Sequence, residues 1–112
     1  MPNMIVRSLF GAAIVVLSAA TGFAQDRARF ERRGESLLSQ HCAMCHAIGL
    51  SGSSPHPKAP PFRSLSERYP LDSLAESLGE GLVPGHPEMP EFVFPPNDVG
   101  AILRYLRSIQ KP

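Results

Sequence analysis

Both cysteines of the chain lie in one five-residue run, Cys42-Ala43-Met44-Cys45-His46. A disulfide inside so short a loop would stabilise the fold very little, because it removes little freedom from the unfolded chain. A disulfide between these two cysteines also could not connect distant segments of the chain. With 112 residues, the chain is long enough for one domain, and a domain of this size is marginally stable unless something else supports it. The two cysteines therefore indicate a binding site rather than a disulfide framework.

The run Cys-x-x-Cys-His is the attachment signature of c-type haem. In such a site the thiols of Cys42 and Cys45 add to the two porphyrin vinyl groups as thioethers, and the imidazole of His46 binds the iron. A thioredoxin-like redox pair is one alternative, but it belongs in a βαβ setting, and the sequence shows no strand alternation. A zinc site is another, and it would need help from His41 or His56. The sequence predicts covalent haem attachment.

Residues 1–24 differ in composition from the rest of the chain. One charged residue, Arg7, precedes an apolar run of about 12 residues, which is the length of a signal-peptide core and less than the roughly 20 residues that span a bilayer. Small residues favour cleavage before Gln25, with a cut after Ala20 as the alternative. A second interpretation keeps the segment as an uncleaved anchor. Both interpretations predict a domain at residues 25–112 that is exported to the periplasm, either released or membrane-anchored.

The charge balance argues against a polyanionic partner. The chain has 11 basic and 10 acidic side chains, a net charge of +1, and loss of Arg7 with the first segment would leave a net charge of zero. A nucleic-acid binder normally shows a concentrated basic face, so no nucleic-acid partner is predicted. A hydrophobic content of 43% with 19% charged residues is ordinary for a globular chain and excludes wholesale disorder.

Two helices are predicted in the first part of the domain. The first runs from about Arg27 to the cysteines, and Gly34 within it favours close approach of another backbone. The second runs from near Leu71 to Leu78 and is expected to end at Gly79 and Gly81. The apolar stripe of the first helix consists of Phe30, Leu37, Leu38 and His41.

The last segment of the chain has the strongest helical periodicity. Asn97 is a good N-cap for it. The connections at residues 49–61 and 83–96 contain too many proline and glycine residues for a regular element. Since no β-hairpin pattern is present, the predicted fold class is all-α. The apolar positions of the last helix are Val99, Ile102, Leu103, Leu106 and Ile109.

A haem iron bound by His46 leaves its opposite face to a second ligand. Met44 and His41 adjoin the attachment cysteines and are therefore held on the side of His46, which disfavours both. His56 lies in the 49–61 loop and is expected to be solvated. These three residues are therefore weak candidates.

Met89 is the predicted second ligand. Pro87 and Pro90 flank it, prevent a regular helix and favour an extended conformation at the methionine. A thioether in a rigid loop suits a metal, although a loop methionine can also fill a gap in a core. His86 is the main rival, and ligation by two histidines would give a lower potential than ligation by histidine and methionine.

With its C-x-x-C-H run and the later Pro-flanked methionine, the chain resembles the small monohaem class I cytochromes c of bacterial type. The resemblance extends over residues 26–112. It implies the cytochrome c fold, in which the N- and C-terminal helices cross and a middle helix and long loops surround one covalent haem c. It also implies a crossing near Gly34, with Phe30 and Tyr105 as aromatic partners there.

The resemblance assigns further residues around the haem. The run Ala59-Pro60-Pro61-Phe62 resembles the Gly-Pro-x-Leu turn of the family, so the carbonyl of Pro60 is expected to accept a hydrogen bond from Nδ1 of His46. Phe62 is expected in the haem pocket, and Phe92 and Phe94 are expected to line the opposite haem face. Arg63, Arg68 and Tyr69 are candidates for propionate binding, with an ordinary surface role as the alternative. Because the chain has no tryptophan and its only lysines are Lys58 and Lys111, the lysine-ringed docking face of the mitochondrial type is not expected.

The predicted function is one-electron transfer. With both axial positions taken, the iron has no vacant site for a substrate and cycles between Fe(III) and Fe(II). No enzymatic activity is predicted, since the chain offers no distal acid-base pair apart from His86. The alternative is a gas-binding or sensing haem module with a labile Met89. The expected partners are redox proteins that dock transiently on a monomer, such as a membrane oxidase, a reductase or a dehydrogenase. Membrane association is expected only if residues 1–24 are retained.

Overall fold

The computed structural model describes the backbone of residues 3–81 and 85–112, and the side chains of residues 19–81 and 85–112. All regular structure in these ranges is helical, which confirms the all-α prediction. The predicted N-terminal segment and the predicted 83–96 connection each begin at residues outside the described ranges. The α-helices are α1 (Asn3–His41), α2 (Leu74–Glu80) and α3 (Pro96–Ile109), and two 3-10 helices span Phe62–Glu67 and Leu71–Ser73.

Helix α1 is continuous across the predicted boundary between residues 24 and 25. The side chains of residues 19–30 are exposed, and the first buried residue after them is Gly34. In the described part of the chain, no helix has both the length and the apolar character needed to cross a membrane. The division into a signal segment at residues 1–24 and a domain at 25–112 remains a prediction.

Helices α1 and α3 cross at Gly34, as predicted. A Cβ atom built at Gly34 would lie 2.0 Å from the carbonyl oxygen of Ala101 and 3.0 Å from Cβ of Tyr105. Any side chain at this position would therefore force the two backbones apart. The terminal helices of the domain thus meet backbone to backbone, and this contact sets the frame for the rest of the fold.

The predicted aromatic pairing at the crossing takes a different form. Phe30 lies one turn before Gly34, and its ring is 3.2 Å from a Cβ built at Gly100. Tyr105 lies one turn after the contact on α3, and its hydroxyl donates a hydrogen bond of 2.8 Å to the carbonyl of Ile48. Among the ring contacts of the described residues, none joins Phe30 to Tyr105, so the expected aromatic pair does not form.

The core is built around α3. The five apolar positions predicted for this helix are all buried, and Ile102 has no exposed surface. Leu37 and Leu38 of α1 are also buried, whereas Phe30 and His41, the ends of the predicted stripe, are exposed. The remaining buried hydrophobic residues are Phe62, Leu65, Phe94, Ala101 and Tyr105.

Helix α3 begins two residues earlier than predicted. Pro95 is its N-cap and Pro96 its first residue, so Asn97 lies inside the first turn and does not cap the helix. The backbone N–H groups of Asp98 and Val99 donate to the carbonyl of Pro95 at 3.0 Å. A proline is favoured at the first helical position because its fixed φ suits the helix and its missing N–H would have no partner there.

The middle helix consists of a 3-10 turn, Leu71–Ser73, followed by α2. The three leucines at positions 71, 74 and 78 pack against the core, as their spacing predicted. Gly81 ends the helix in the left-handed conformation, with φ of 74°. The prediction that Gly79 also ends it is wrong, since Gly79 lies within α2 and keeps helical geometry.

The side-chain amide of Gln110 joins the end of α3 to the first 3-10 helix. Its Nε2 donates to the carbonyls of Phe62 at 2.7 Å and Leu106 at 2.8 Å. Its Oε1 accepts from the backbone N–H of Ser66 at 2.9 Å. This residue therefore holds the segment that carries Phe62 against the C-terminal helix.

Candidate haem-binding site

The two cysteines lie on the turn that follows α1. The backbone N–H of Cys42 donates to the carbonyl of Leu38 at 2.8 Å, and that of His46 donates to the carbonyl of Cys42 at 2.9 Å. These bonds extend the helical direction of α1 to the start of the motif. Both cysteines are half-buried free thiols, while the side chain of Met44 between them is 88% exposed. Met44 therefore faces solvent and not the predicted haem pocket.

Burial, with a smaller contribution from Cys45, raises the pKa of the Cys42 thiol to about 11. A redox-active cysteine pair needs the opposite shift, because the thiolate is the nucleophile. The described residues also contain no strand that would provide a βαβ setting. They contain no group of three or more Cys, His or acidic side chains that could hold a metal ion. Both the thioredoxin-like and the zinc alternatives therefore lack support.

His46 has the orientation that an iron ligand needs. Its Nδ1 lies 2.8 Å from the carbonyl oxygen of Pro60, the contact expected from the resemblance. Because a carbonyl can only accept, the neutral ring carries its proton on Nδ1 and keeps a lone pair on Nε2 that can bind a metal. The ring of the buried Phe62 packs on the imidazole with centroids 4.5 Å apart and planes inclined by 32°. The hydrogen bond to Pro60 and the ring contact with Phe62 together fix the direction in which Nε2 points.

Arg63, next to Phe62 on the first 3-10 helix, carries a buried polar atom without a partner. Of the side-chain nitrogen and oxygen atoms in the described part of the chain, only this Nη1 is buried without a hydrogen-bond partner. An unpaired guanidinium nitrogen in such a place is costly, and an anionic group bound there would satisfy it. The other two propionate candidates, Arg68 and Tyr69, are exposed at the end of the same helix. Sequence reasoning did not separate Arg63 from these neighbours.

Phe92 and Phe94 form an aromatic cluster with His41. The rings of the two phenylalanines stack at 5.7 Å, and the His41 ring meets them edge-on at 5.8 and 5.4 Å. The backbone N–H of Phe94 donates to the carbonyl of Leu78 at 2.8 Å, which fastens this segment to α2. His41 directly precedes Cys42, so the two phenylalanines adjoin the attachment motif. Their place on the haem face opposite His46 stays a prediction.

Met89 lies on a tight turn at residues 85–90. Its backbone N–H donates to the carbonyl of His86 at 3.2 Å, and its side chain is 41% exposed. Apart from His86, which is half-buried, every residue of this turn is exposed. The proline-flanked methionine is therefore presented by a surface turn and not by a packed helix.

His56, which was expected to be solvated, is half-buried and also makes specific contacts. Its Nε2 makes a hydrogen-bond contact with Oε2 of Glu88, and its ring meets the His86 ring edge-on at 6.0 Å. The backbone N–H of Lys58 donates to its Nδ1 at 3.1 Å. Sequence reasoning missed this cluster because its members lie in two irregular loops that share no periodicity.

Comparison with protein-family models gives a match to cytochrome c over residues 31–110. Comparison with curated proteins gives no match, and comparison with solved structures gives none either. The matched region contains the C-x-x-C-H run, the Pro60 carbonyl and the Met89 turn. The chain belongs to the cytochrome c family, as a monohaem class I c-type cytochrome with one covalently bound haem c and its iron.

The residues present fit this group. Cys42 and Cys45 are free thiols at the required spacing, and His46 presents an unprotonated Nε2. The unpaired Nη1 of Arg63 would supply a cation for a haem propionate, beside the phenylalanine that packs on His46. The site therefore offers two attachment points, one axial ligand and one counter-ion within a short stretch of structure.

Proposed function

We propose that this cytochrome is a one-electron carrier, not an enzyme, and that His46 and Met89 bind its iron on opposite faces. The observation that carries the proposal is the hydrogen bond from His46 to Pro60, which fixes the tautomer and the direction of the imidazole. A thioether as second ligand favours the ferrous state and raises the potential. Of the methionines outside the first segment, Met44 points to solvent, and Met89 lies on a turn that can present it to the iron.

The bound haem supplies the Fe(III)/Fe(II) couple. The chain supplies the rest: His46 is held by Pro60 and Phe62, Arg63 balances a propionate charge, and the buried core beside Phe62 limits solvent reorganisation. The exposed side chain of Met44, between the two attachment cysteines, marks the edge where a partner can approach. A brief encounter over a small interface suits such an edge.

Replacing Met89 tests the ligation directly. In the purified holoprotein, Met89→Ala should abolish the weak red charge-transfer band of thioether-ligated ferric haem and lower the reduction potential. Met44→Ala is the matched control and should leave both unchanged. Spectra of Met89→Ala identical to those of the wild type would exclude Met89 as the ligand, and His86→Ala would then be the next variant to examine.

The exposed turn around Met89 favours one second candidate, a gas-binding or sensing module in which Met89 yields to an external ligand. Carbon monoxide separates the two functions. A carrier with a firmly bound Met89 should resist carbon monoxide in the reduced state at neutral pH, whereas a sensor should bind it readily. Rapid binding by the wild type would favour the sensor.

We also propose that the protein is exported from the cytoplasm. Residues 1–24 act as a signal peptide, and the mature cytochrome starts at Gln25 in the periplasm, where it meets redox partners as a monomer. The apolar run, its length and the following small residues support this assignment. Intact mass and N-terminal sequencing of the haem-containing protein distinguish cleavage before Gln25 from cleavage after Ala20 and from an uncleaved anchor.

A further inference from the structure

His56 connects the attachment motif to the Met89 turn. Its own backbone N–H donates to the carbonyl of Cys45 at 3.1 Å, so its position is fixed by the residue that precedes His46. Its side chain reaches the carboxylate of Glu88, which is separated by 32 residues in sequence and adjoins Met89. One residue therefore contacts both the C-x-x-C-H motif and the turn that presents the proposed second ligand.

The tautomer of His56 follows from its partners. A backbone N–H can only donate, so the bond from Lys58 requires Nδ1 to be an acceptor. The proton of the neutral ring therefore lies on Nε2 and is donated to Oε2 of Glu88. The contact needs no positive charge on the imidazole. The Glu88 side chain is 68% exposed, so this bond fixes a carboxylate that would otherwise move freely in water.

The Met89 turn has few other attachments. Within residues 85–90, the bond from Met89 to His86 is internal to the turn. In the described part of the chain, the hydrogen bonds, ion pairs and ring contacts that join this turn to other segments all involve His56: the bond to Glu88 and the ring contact with His86. Opening of the turn therefore requires the release of His56.

We infer that His56 is a positioning residue that holds the Met89 turn closed and so sets the rate at which external ligands reach the iron. The inference rests on the proposed ligation by Met89. Loss of one hydrogen bond to a partly exposed carboxylate should increase the opening of the turn about fivefold. Global stability should hardly change, because neither His56 nor Glu88 belongs to the buried core.

Binding of imidazole to the ferric holoprotein measures this opening. At saturating imidazole, the observed rate equals the rate at which the intrinsic ligand leaves the iron. His56→Ala and Glu88→Ala should each raise that rate about fivefold, and the double variant should show no further increase. Glu88→Gln should stay near the wild-type rate, because its amide oxygen still accepts from Nε2. Lys58→Ala is the matched control, since it keeps the backbone N–H and removes only the charge.

The outcomes separate the two proposals. If the wild type shows the thioether charge-transfer band but both alanine variants bind imidazole at its rate, the role of His56 is excluded while the ligation by Met89 stands. A double variant whose rate is the product of the two single effects also excludes it, because the residues would then act independently. If the wild type lacks the band and Met89→Ala leaves its spectrum unchanged, both proposals fail.

Discussion

The two proposed iron ligands lie in very different surroundings. His46 packs on Phe62, a buried residue of the core that includes α3, and the core is organised by the backbone contact at Gly34. Met89 lies on an exposed turn whose described links to other segments run through His56. One ligand is therefore held by the cooperative fold and the other by a local polar contact.

The two proposed ligands therefore need not respond together to a change in the protein. A change in the core alters the free energy of unfolding of the whole domain, and the imidazole follows the core. A change in the turn alters only how often the turn opens. The following predictions test this contrast between the α3 core and the Met89 turn, in order of decreasing expected effect.

Ile102→Ala should destabilise the domain most, by about 4 kcal/mol, because it leaves a cavity at a fully buried position. Denaturant unfolding of the holoprotein, followed by circular dichroism, measures the loss. Val93→Ala, at a side chain that is 70% exposed, is the control and should change the free energy by less than about 0.5 kcal/mol. Equal losses of unfolding free energy in the two variants would show that burial in the α3 core does not set the stability of the domain.

Gly34→Ala should cost about 2 to 3 kcal/mol, since the added methyl group would collide with the carbonyl of Ala101 and separate the helices. The same unfolding experiment applies. Gly49→Ala is the matched control, because nothing lies within 4 Å of a Cβ atom at that position. An unchanged Gly34→Ala variant would show that the crossing can widen without cost.

Tyr105→Phe should cost about 1 kcal/mol at neutral pH through loss of the hydrogen bond to Ile48. Burial first, then the charges of Glu35 and Glu31, raises the pKa of Tyr105 in the folded state. The unfolded chain therefore loses this proton first, near the ordinary value of about 10. The stabilisation is complete below that pH and declines as the pH rises above it.

The difference between the wild type and Tyr105→Phe should accordingly shrink in alkaline solution. Unfolding measured at neutral pH and again above about pH 10 tests the direction of this change. Tyr69→Phe, at a half-exposed ring, is the control. A difference that grows with pH would contradict the assignment of the buried hydroxyl as a neutral donor.

The opening of the Met89 turn should require the smallest free energy of these changes, and amide hydrogen exchange measures it. The amide of Met89, bonded to the carbonyl of His86, should exchange through local opening and be protected roughly a hundredfold less than the amide of Leu106 within α3. Exchange of the holoprotein, followed by NMR, gives both values. Equal protection would mean that the turn opens only when the domain unfolds.

Local patterns made much of the fold predictable. The apolar spacing of α3 and the C-x-x-C-H run each lie within a short stretch of sequence, and the five predicted core positions of α3 are all buried. The start of α3 was misplaced because Asn97 is a strong capping residue in isolation, whereas the preference of Pro96 for the first helical position decided the outcome.

Long-range contacts were harder to predict. The bond from His46 to Pro60 was expected only because the Ala59-Pro60-Pro61-Phe62 run resembles a turn of the family. The pairing of His56 with Glu88 joins two irregular loops 32 residues apart, and neither periodicity nor turn chemistry relates such positions. The special role of Arg63 depends on its burial, which its sequence neighbours do not specify.

The amide of Gln110 links the last turn of α3 to the segment that packs on His46. It bonds to the carbonyl of Phe62 and to the N–H of Ser66, and Phe62 in turn packs on the imidazole of His46. A displacement of the last turn of α3 would therefore reach the imidazole through one amide and one aromatic ring. Under the proposed ligation by His46, a substitution of Gln110, remote in sequence from the attachment motif, is expected to shift the redox potential.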